Sequence, residues 1–301
     1  NLYYVDKTMF IPELEKQPRN LFFIRPRRFG KSIFLSMLYS YYDCTQSHKF
    51  QSLFGNLWIG QHPTPLQGKY QVLFLDFSQI TGNIDKLETK FNSYLSINLD
   101  AFVRQYSEYY QAEMEEILAQ EDFEEKMELI FKAAKAHQYH LYLIIDEYDN
   151  FTNVILNERG EKVYHAITHA DGFYRDVFKK FKGNFERIFM MGVSPVTLDD
   201  VTSGFNIGWN ISIKPEFDEM LGFSTTDVVE MFTYYKKHGS IPADSDIDAI
   251  VNDMKPWYDN YCFAKQALKK KTRMFNCDMV LYYLRNYMDY GCSPRQMIDP
   301  N

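Results

Sequence analysis

The chain has 301 residues, 46% of them hydrophobic and 17% aromatic, and a formal net charge of -7. So much apolar surface excludes a disordered chain and sets the expectation at one large domain or two modest ones. The negative charge works against broad, non-specific nucleic-acid binding by the chain as a whole, and no apolar run approaches the roughly 18 residues of a membrane helix.

From the N-terminus, the short apolar run Leu21 to Ile24 reads as a strand. It is followed by Arg25-Pro-Arg-Arg-Phe-Gly30 and then by apolar residues at helical spacing, Phe34, Leu35, Leu38 and Tyr42, giving strand, loop, helix. Tyr70 to Phe77 is a second strand candidate. Residues 85 to about 118 read as one helix, with Leu87, Phe91, Leu95, Leu99, Phe102 and Tyr106 along one face. Residues 122 to 136 read as another. Leu141 to Ile145 is a continuous apolar run, the kind found in a parallel sheet covered on both faces. A helix over 172 to 182, closed by Gly183, precedes a buried strand over 187 to 193. Strands alternating with helices imply right-handed βαβ units.

After about residue 205 the pattern changes. Residues 206 to 217 read as loop or short strand, and beyond them only helices are expected: 225 to 237, 244 to 255 ending before Pro256, and 276 to 288. The expected fold class is α/β, a three-layer αβα parallel sheet with a C-terminal helical subdomain, and Gly30-Lys31-Ser32 between strand and helix makes it the P-loop NTPase type. The expected division is a core over 1–206 and a helical lid over 207–301. Phe (25) and Tyr (23) are abundant, and their rings read first as packing material. The cysteines Cys44, Cys262, Cys277 and Cys292 are scattered without CxxC spacing. They suggest neither a zinc site nor a redox motif, and fit a reducing, cytoplasmic compartment. No leader sequence is expected.

Two segments carry chemistry. The window Arg25 to Ser32 matches the P-loop pattern G-x-x-x-x-G-K-[ST] except that Arg25 replaces its first glycine. Between a strand and a helix, backbone N–H groups and the helix dipole favour phosphate. Arg27, Arg28, Phe29, Gly30, Lys31 and Ser32 are therefore the candidate nucleotide-binding residues. Lys31 would reach the β- and γ-phosphates of ATP, and Ser32 would ligate Mg2+. Arg25, Arg27 and Arg28 suit phosphate oxygens, but equally suit pairing with acidic helices. The second segment is Leu141 to Asp149, where an apolar strand delivers Asp146 and Glu147 at its C-terminal end, the end at which α/β sheets build their sites. Asp146 is the candidate magnesium ligand and Glu147 the candidate base for an attacking water. Ser194, closing the strand that begins near Arg187, is a third candidate, as a γ-phosphate sensor or as a simple turn serine. The close pairs His137/His140 and His165/His169 lack an added carboxylate in zincin spacing.

With these motifs the chain resembles the bacterial AAA-ATPase-like proteins, which often carry a C-terminal PD-(D/E)XK nuclease-like domain. The matching segments are Tyr4 to Thr8, Arg25 to Ser32, Leu143 to Asp149, Gly192 to Pro195, Thr202 to Asn206, Trp257 to Phe263, and Phe275-Asn276. In that family the arginine-rich loop without the first glycine is usual. The resemblance implies an ATPase core with a helical lid, carries Lys31, Ser32, Asp146, Glu147 and Ser194 over as site residues, and puts Asp6-Lys7 near the nucleotide base, where a capping turn is the other reading. A nuclease-like domain would lie outside this chain. The client, protein or nucleic acid, is not implied. No arginine finger is assigned, which leaves open whether a neighbouring subunit of a homo-oligomer completes the site. ATP hydrolysis driving a conformational change is the first functional expectation. A nucleotide-gated switch or scaffold with little turnover, or a P-loop kinase acting on a small molecule, are the others. Glu147 beside Asp146 favours hydrolysis. Finally, two glycines near 204 and 208 suggest a hinge on which the lid would close.

Overall fold

The computed structural model describes residues 3–80, 86–168, 172–194, 208–270 and 273–298. The Gly204 to Ile207 part of the expected hinge, the Thr202 to Asn206 segment, Pro195 and His169 lie outside the described residues. The chain forms two compact units. A sheet unit comprises Leu14–Ile24 and Leu35–Asn210. A C-terminal unit comprises Ile211–Asn301 together with Asn1–Glu13 and Arg25–Phe34. By its contacts, then, the loop before the first long helix groups with the C-terminal residues, although it leaves directly from a strand of the sheet.

The sheet unit is built on five parallel strands: β1 (Asn20–Ile24), β2 (Gln71–Asp76), β3 (Leu141–Asp146), β4 (Arg187–Gly192) and the short β5 (Trp209–Asn210), in the order β2-β3-β4-β1-β5. Every residue of β3 is buried, which is why this strand reads as an unbroken apolar run and not as an alternating one. The N-terminal half of the chain carries α1 (Phe10–Glu15), α2 (Lys31–Tyr42), α3 (Phe50–Phe54) and α4 (Trp58–Gln61). Then follow α5 (Leu87–Gln105), α6 (Met114–Ala119), α7 (Phe123–His137), α8 (Asn150–Arg159), α9 (Glu161–Thr168) and α10 (Phe173–Asn184). Leu73, Leu75, Leu143, Ile145, Ile188 and Met190 pack with apolar residues of α5, α7 and α10 in one continuous core. Tyr39 and Tyr42 of α2 set their rings against Phe74 and Tyr142, whose side chains alternate to the opposite face of the sheet.

The expected single helix over 85–118 is two helices. α5 ends at Gln105 and α6 begins at Met114. The interruption is where Tyr106 and Tyr110 turn inward: the Tyr110 hydroxyl donates to Gln71 Oε1 at 2.8 Å, and both rings are buried. β2 is an edge strand, and its outward N–H groups need partners. The Tyr106 hydroxyl accepts from Val72 N–H and the Tyr94 hydroxyl from Asp76 N–H, each at 2.7 Å. Tyr106 also donates to the buried Asp43 carboxylate. The tyrosine excess thus serves hydrogen bonding as well as packing. α7 begins as read, with Asp122 accepting from the Glu124 and Glu125 N–H groups, whereas α10 runs one residue past Gly183 to Asn184.

The C-terminal unit holds α11 (Thr225–Lys237), α12 (Ile247–Tyr258), α13 (Lys265–Lys270) and α14 (Cys277–Tyr290). Its core joins Val228, Met231, Phe232, Val251, Met254, Val280, Tyr283 and Leu284. Two expectations are corrected here. The unit is not helical only, because β6 (Asp259–Tyr261) pairs antiparallel with β7 (Met274–Phe275). Also, α12 does not stop before Pro256 but runs through it to Tyr258. So close to the helix end, the missing proline N–H costs a single bond of the ladder and the chain then leaves as strand. Among the described residues no helix is long and apolar enough to cross a membrane.

Candidate functional site

The candidate residues fall in two groups. Arg27, Arg28, Phe29, Gly30, Lys31 and Ser32 belong to the C-terminal unit, and Asp146, Glu147 and Ser194 to the sheet unit.

In the first group, the loop turns into α2 through two left-handed residues, Arg28 (φ 68) and Gly30 (φ 83). Glycine adopts this conformation without strain and arginine does not. The helix starts at once, with Phe34 N–H donating to Gly30 O at 3.1 Å. Lys31 is 5% exposed. Its ammonium donates to the carbonyls of Pro26 (3.3 Å) and Arg25 (3.4 Å), so it curls back into the arc of its own loop. Ser32 is exposed at the first turn of the helix. Arg27 is exposed, and its carbonyl accepts from the Asn276 side chain at 3.4 Å. Arg28 pairs with Asp278 of α14 at 3.0 Å, both side chains being more than 40% exposed.

The loop is anchored by Arg25 and Phe29, which point inward. Arg25 donates from Nη1 to Ser212 O (2.8 Å) and from Nη2 to Phe217 O (2.9 Å), and its guanidinium lies 3.9 Å above the Phe263 ring. Burial pulls its pKa down to about 9, with Asp218 opposing the shift. Phe29 is buried, edge-on to Tyr261 and Phe263. Arg25 thus holds two backbone carbonyls in a buried setting. Arg25→Ala is expected to lower folding stability by about 3 kcal/mol, because both carbonyls lose a charged donor in a buried setting. The urea midpoint measures this, and an unchanged midpoint would remove the anchoring role.

Beside the loop is a cavity of about 180 Å³, mostly apolar, whose walls include Tyr4, Val5, Phe29, Ile33, Gly222 and Leu281. Lys7 and Cys277 also line it. Gly222 has φ 88, and a Cβ there would stand 2.9 Å from the Phe29 ring. Of the Asp6-Lys7 pair, Asp6 makes a capping turn, accepting from Thr8 N–H at 2.8 Å, while Lys7 lines the cavity and pairs with Asp227 at 2.7 Å.

In the sheet unit the ends of β2, β3, β4 and β1 lie along one edge, with Asp76 paired to Asp146, Ile145 to Met190, and Gly192 to Ile24. Asp146 is 4% exposed and accepts from Glu147 N–H at 2.9 Å. Glu147 has φ 52, a left-handed turn residue directly after the strand, and is half-buried. Asp149, which the sequence shows but gives no role, is fully buried. Its carboxylate accepts from Val193 N–H at 3.1 Å and Ser194 N–H at 2.6 Å. Tyr148 donates its hydroxyl to Ser194 O at 2.7 Å. Among the described residues no three His, Cys, Asp or Glu side chains gather as a metal-ligand set. His137 and His140 instead meet Glu113 and Glu186.

With this fold and these residues the chain belongs to the AAA-ATPase-like family of predicted AAA-ATPases, whose model matches residues 1–202. It is 26% identical over 274 residues to an uncharacterised protein from the vnfD 5' region of Azotobacter chroococcum mcd 1. That match covers 88% of this chain and 46% of the relative, so the chain spans about half the length of the curated relative it matches.

Proposed function

We propose that the chain is a P-loop ATPase that binds ATP with Mg2+ and hydrolyses it to drive a conformational change. The observation that carries this reading is the order β3-β4-β1. Three adjacent parallel strands end at one edge of the sheet and run directly into Asp146-Glu147, Gly192 to Ser194, and the loop 25–32. Ligands of open α/β sheets bind beyond the carboxyl ends of the strands.

The residues fit a nucleoside triphosphate with its metal. Lys31 holds a buried positive charge within a loop of backbone groups, and Ser32 stands at the N-terminal turn of a long helix, which favours anions. Ser32 and Asp146 would hold the magnesium, which commonly takes one or two carboxylates and fills its sphere with phosphate oxygens and water. The metal would neutralise charge developing on the phosphates. Glu147 would accept the proton of the attacking water, and Ser194 would sense the γ-phosphate. Arg27, exposed on the loop, has the guanidinium fork that suits phosphate oxygens. The apolar cavity would take the base, with Phe29 in its wall. Residues from about 207 to 301 would act as the lid.

The test is phosphate release by purified protein, with and without Mg2+, at several protein concentrations. Mg2+-dependent release is expected. A specific activity that rises with protein concentration would show that neighbouring subunits complete the site, and no release under any condition would sink the ATPase reading.

A further inference from the structure

The Tyr148-Asp149 pair does more than end an acidic turn. The Asp149 carboxylate faces the backbone N–H groups of Val193 and Ser194, and Asn153 donates to it at 3.1 Å from the side. Two successive amides on one buried carboxylate are charge-assisted bonds of the stronger kind. Tyr148 closes the same loop from its other polar side, donating to Ser194 O, and its own N–H donates to Met191 O at 3.2 Å. The support beneath is aromatic. Tyr174 donates its hydroxyl to Tyr148 O, and its ring stacks on Phe151 at 11° and 5.4 Å. The approach depends on Gly192, because a Cβ there would come within 2.5 Å of Asp149 Oδ1 and of the Tyr148 ring.

We propose that Asp149, with Tyr148, is a positioning residue that locks the loop after β4 to the end of β3 and thereby sets where Ser194 stands relative to Asp146 and Glu147. The clamp involves no nucleotide. It joins the end of the strand that bears the two candidate catalytic carboxylates to the end of the strand that bears the candidate sensor, so their relative placement does not depend on the sheet ladder alone. Its effect on turnover rests on the ATPase reading, whereas its effect on the loop does not. Asp149→Asn removes the negative charge from both amide bonds and turns an NH2 donor to where Oδ1 faces Val193 N–H at 3.2 Å, so the clamp is weakened while the side-chain volume is kept.

The test has two arms. In the first, Asp149→Asn is expected to lower kcat about 10-fold or more while ATP affinity stays within about twofold, since a misplaced group of this kind acts on the transition state. Tyr148→Phe should move kcat the same way by less, and serves as the second variant if Asp149→Asn folds poorly. In a Ser194→Ala background Asp149→Asn should add less than about twofold, because the group it positions is gone. Undiminished turnover in Asp149→Asn, or a loss equally large with and without Ser194, overturns the proposal. In the second arm, amide hydrogen exchange at Val193 and Ser194 should speed up about 10-fold or more in Asp149→Asn, and likewise in Gly192→Ala, with Ile188 to Met190 unchanged. This arm needs no hydrolysis. If the wild type proves inactive the ATPase reading fails, and unchanged exchange at Val193 and Ser194 would still overturn the clamp.

Discussion

Lys31→Ala should weaken ATP binding by about 100-fold, roughly 2.7 kcal/mol, while leaving the folded protein almost as stable. The ammonium sits on a nearly buried side chain and makes two long bonds, 3.3 and 3.4 Å, to carbonyls of its own loop. A phosphate oxygen offering a charge-assisted contact would compete well against these neutral carbonyls. What alanine removes is therefore mostly the interaction with ligand. Calorimetry on wild type and Lys31→Ala, with urea unfolding of both in the absence of ATP, separates the two effects. Equal ATP affinity would sink the assignment of the loop. A large loss of stability would mean that Lys31 holds the loop instead of the nucleotide.

Glu147→Gln should bind ATP within about twofold of wild type yet hydrolyse it about 100-fold or more slowly, the range associated with loss of a general base. The backbone makes this substitution informative. Glu147 adopts φ 52, and glutamine tolerates the left-handed conformation about as well as glutamate. Its N–H can go on donating to Asp146, and its carbonyl can go on accepting from Asn150 N–H. Only the proton-accepting oxygen changes. Single-turnover phosphate release is the measurement, and wild-type turnover in the variant would move the base elsewhere.

The residues explain how much of this was readable beforehand. Strands β1 to β4 were legible because strands covered on both faces are continuous apolar runs bounded by polar loops, and Leu141 to Ile145 is the clearest of them. The break between α5 and α6 was not, because Tyr106 keeps the helical spacing of its predecessors. What turns the chain there is the reach of Tyr106 and Tyr110 to Asp43, Val72 and Gln71, distant in sequence. The inward course of Arg25 was hidden in the same way. Its partners Ser212, Phe217 and Phe263 lie far along the chain, and an arginine in a basic loop reads as a surface cation. Asp149 was in plain view within the acidic turn, but its partners are backbone amides, which leave no trace in a sequence. The short β6-β7 pair gave no alternating run long enough to detect.

The tyrosine hydroxyls that answer the outer N–H groups of β2 have a consequence for assembly. A sheet edge with open amides is a template on which another chain can add a strand. Here Tyr94 and Tyr106 occupy the amides of Asp76 and Val72 with 2.7 Å bonds, and an incoming strand would have to displace both. Fibril growth or strand exchange along β2 is thereby disfavoured. A self-associating form of this protein would thus be expected not to add a strand at this edge.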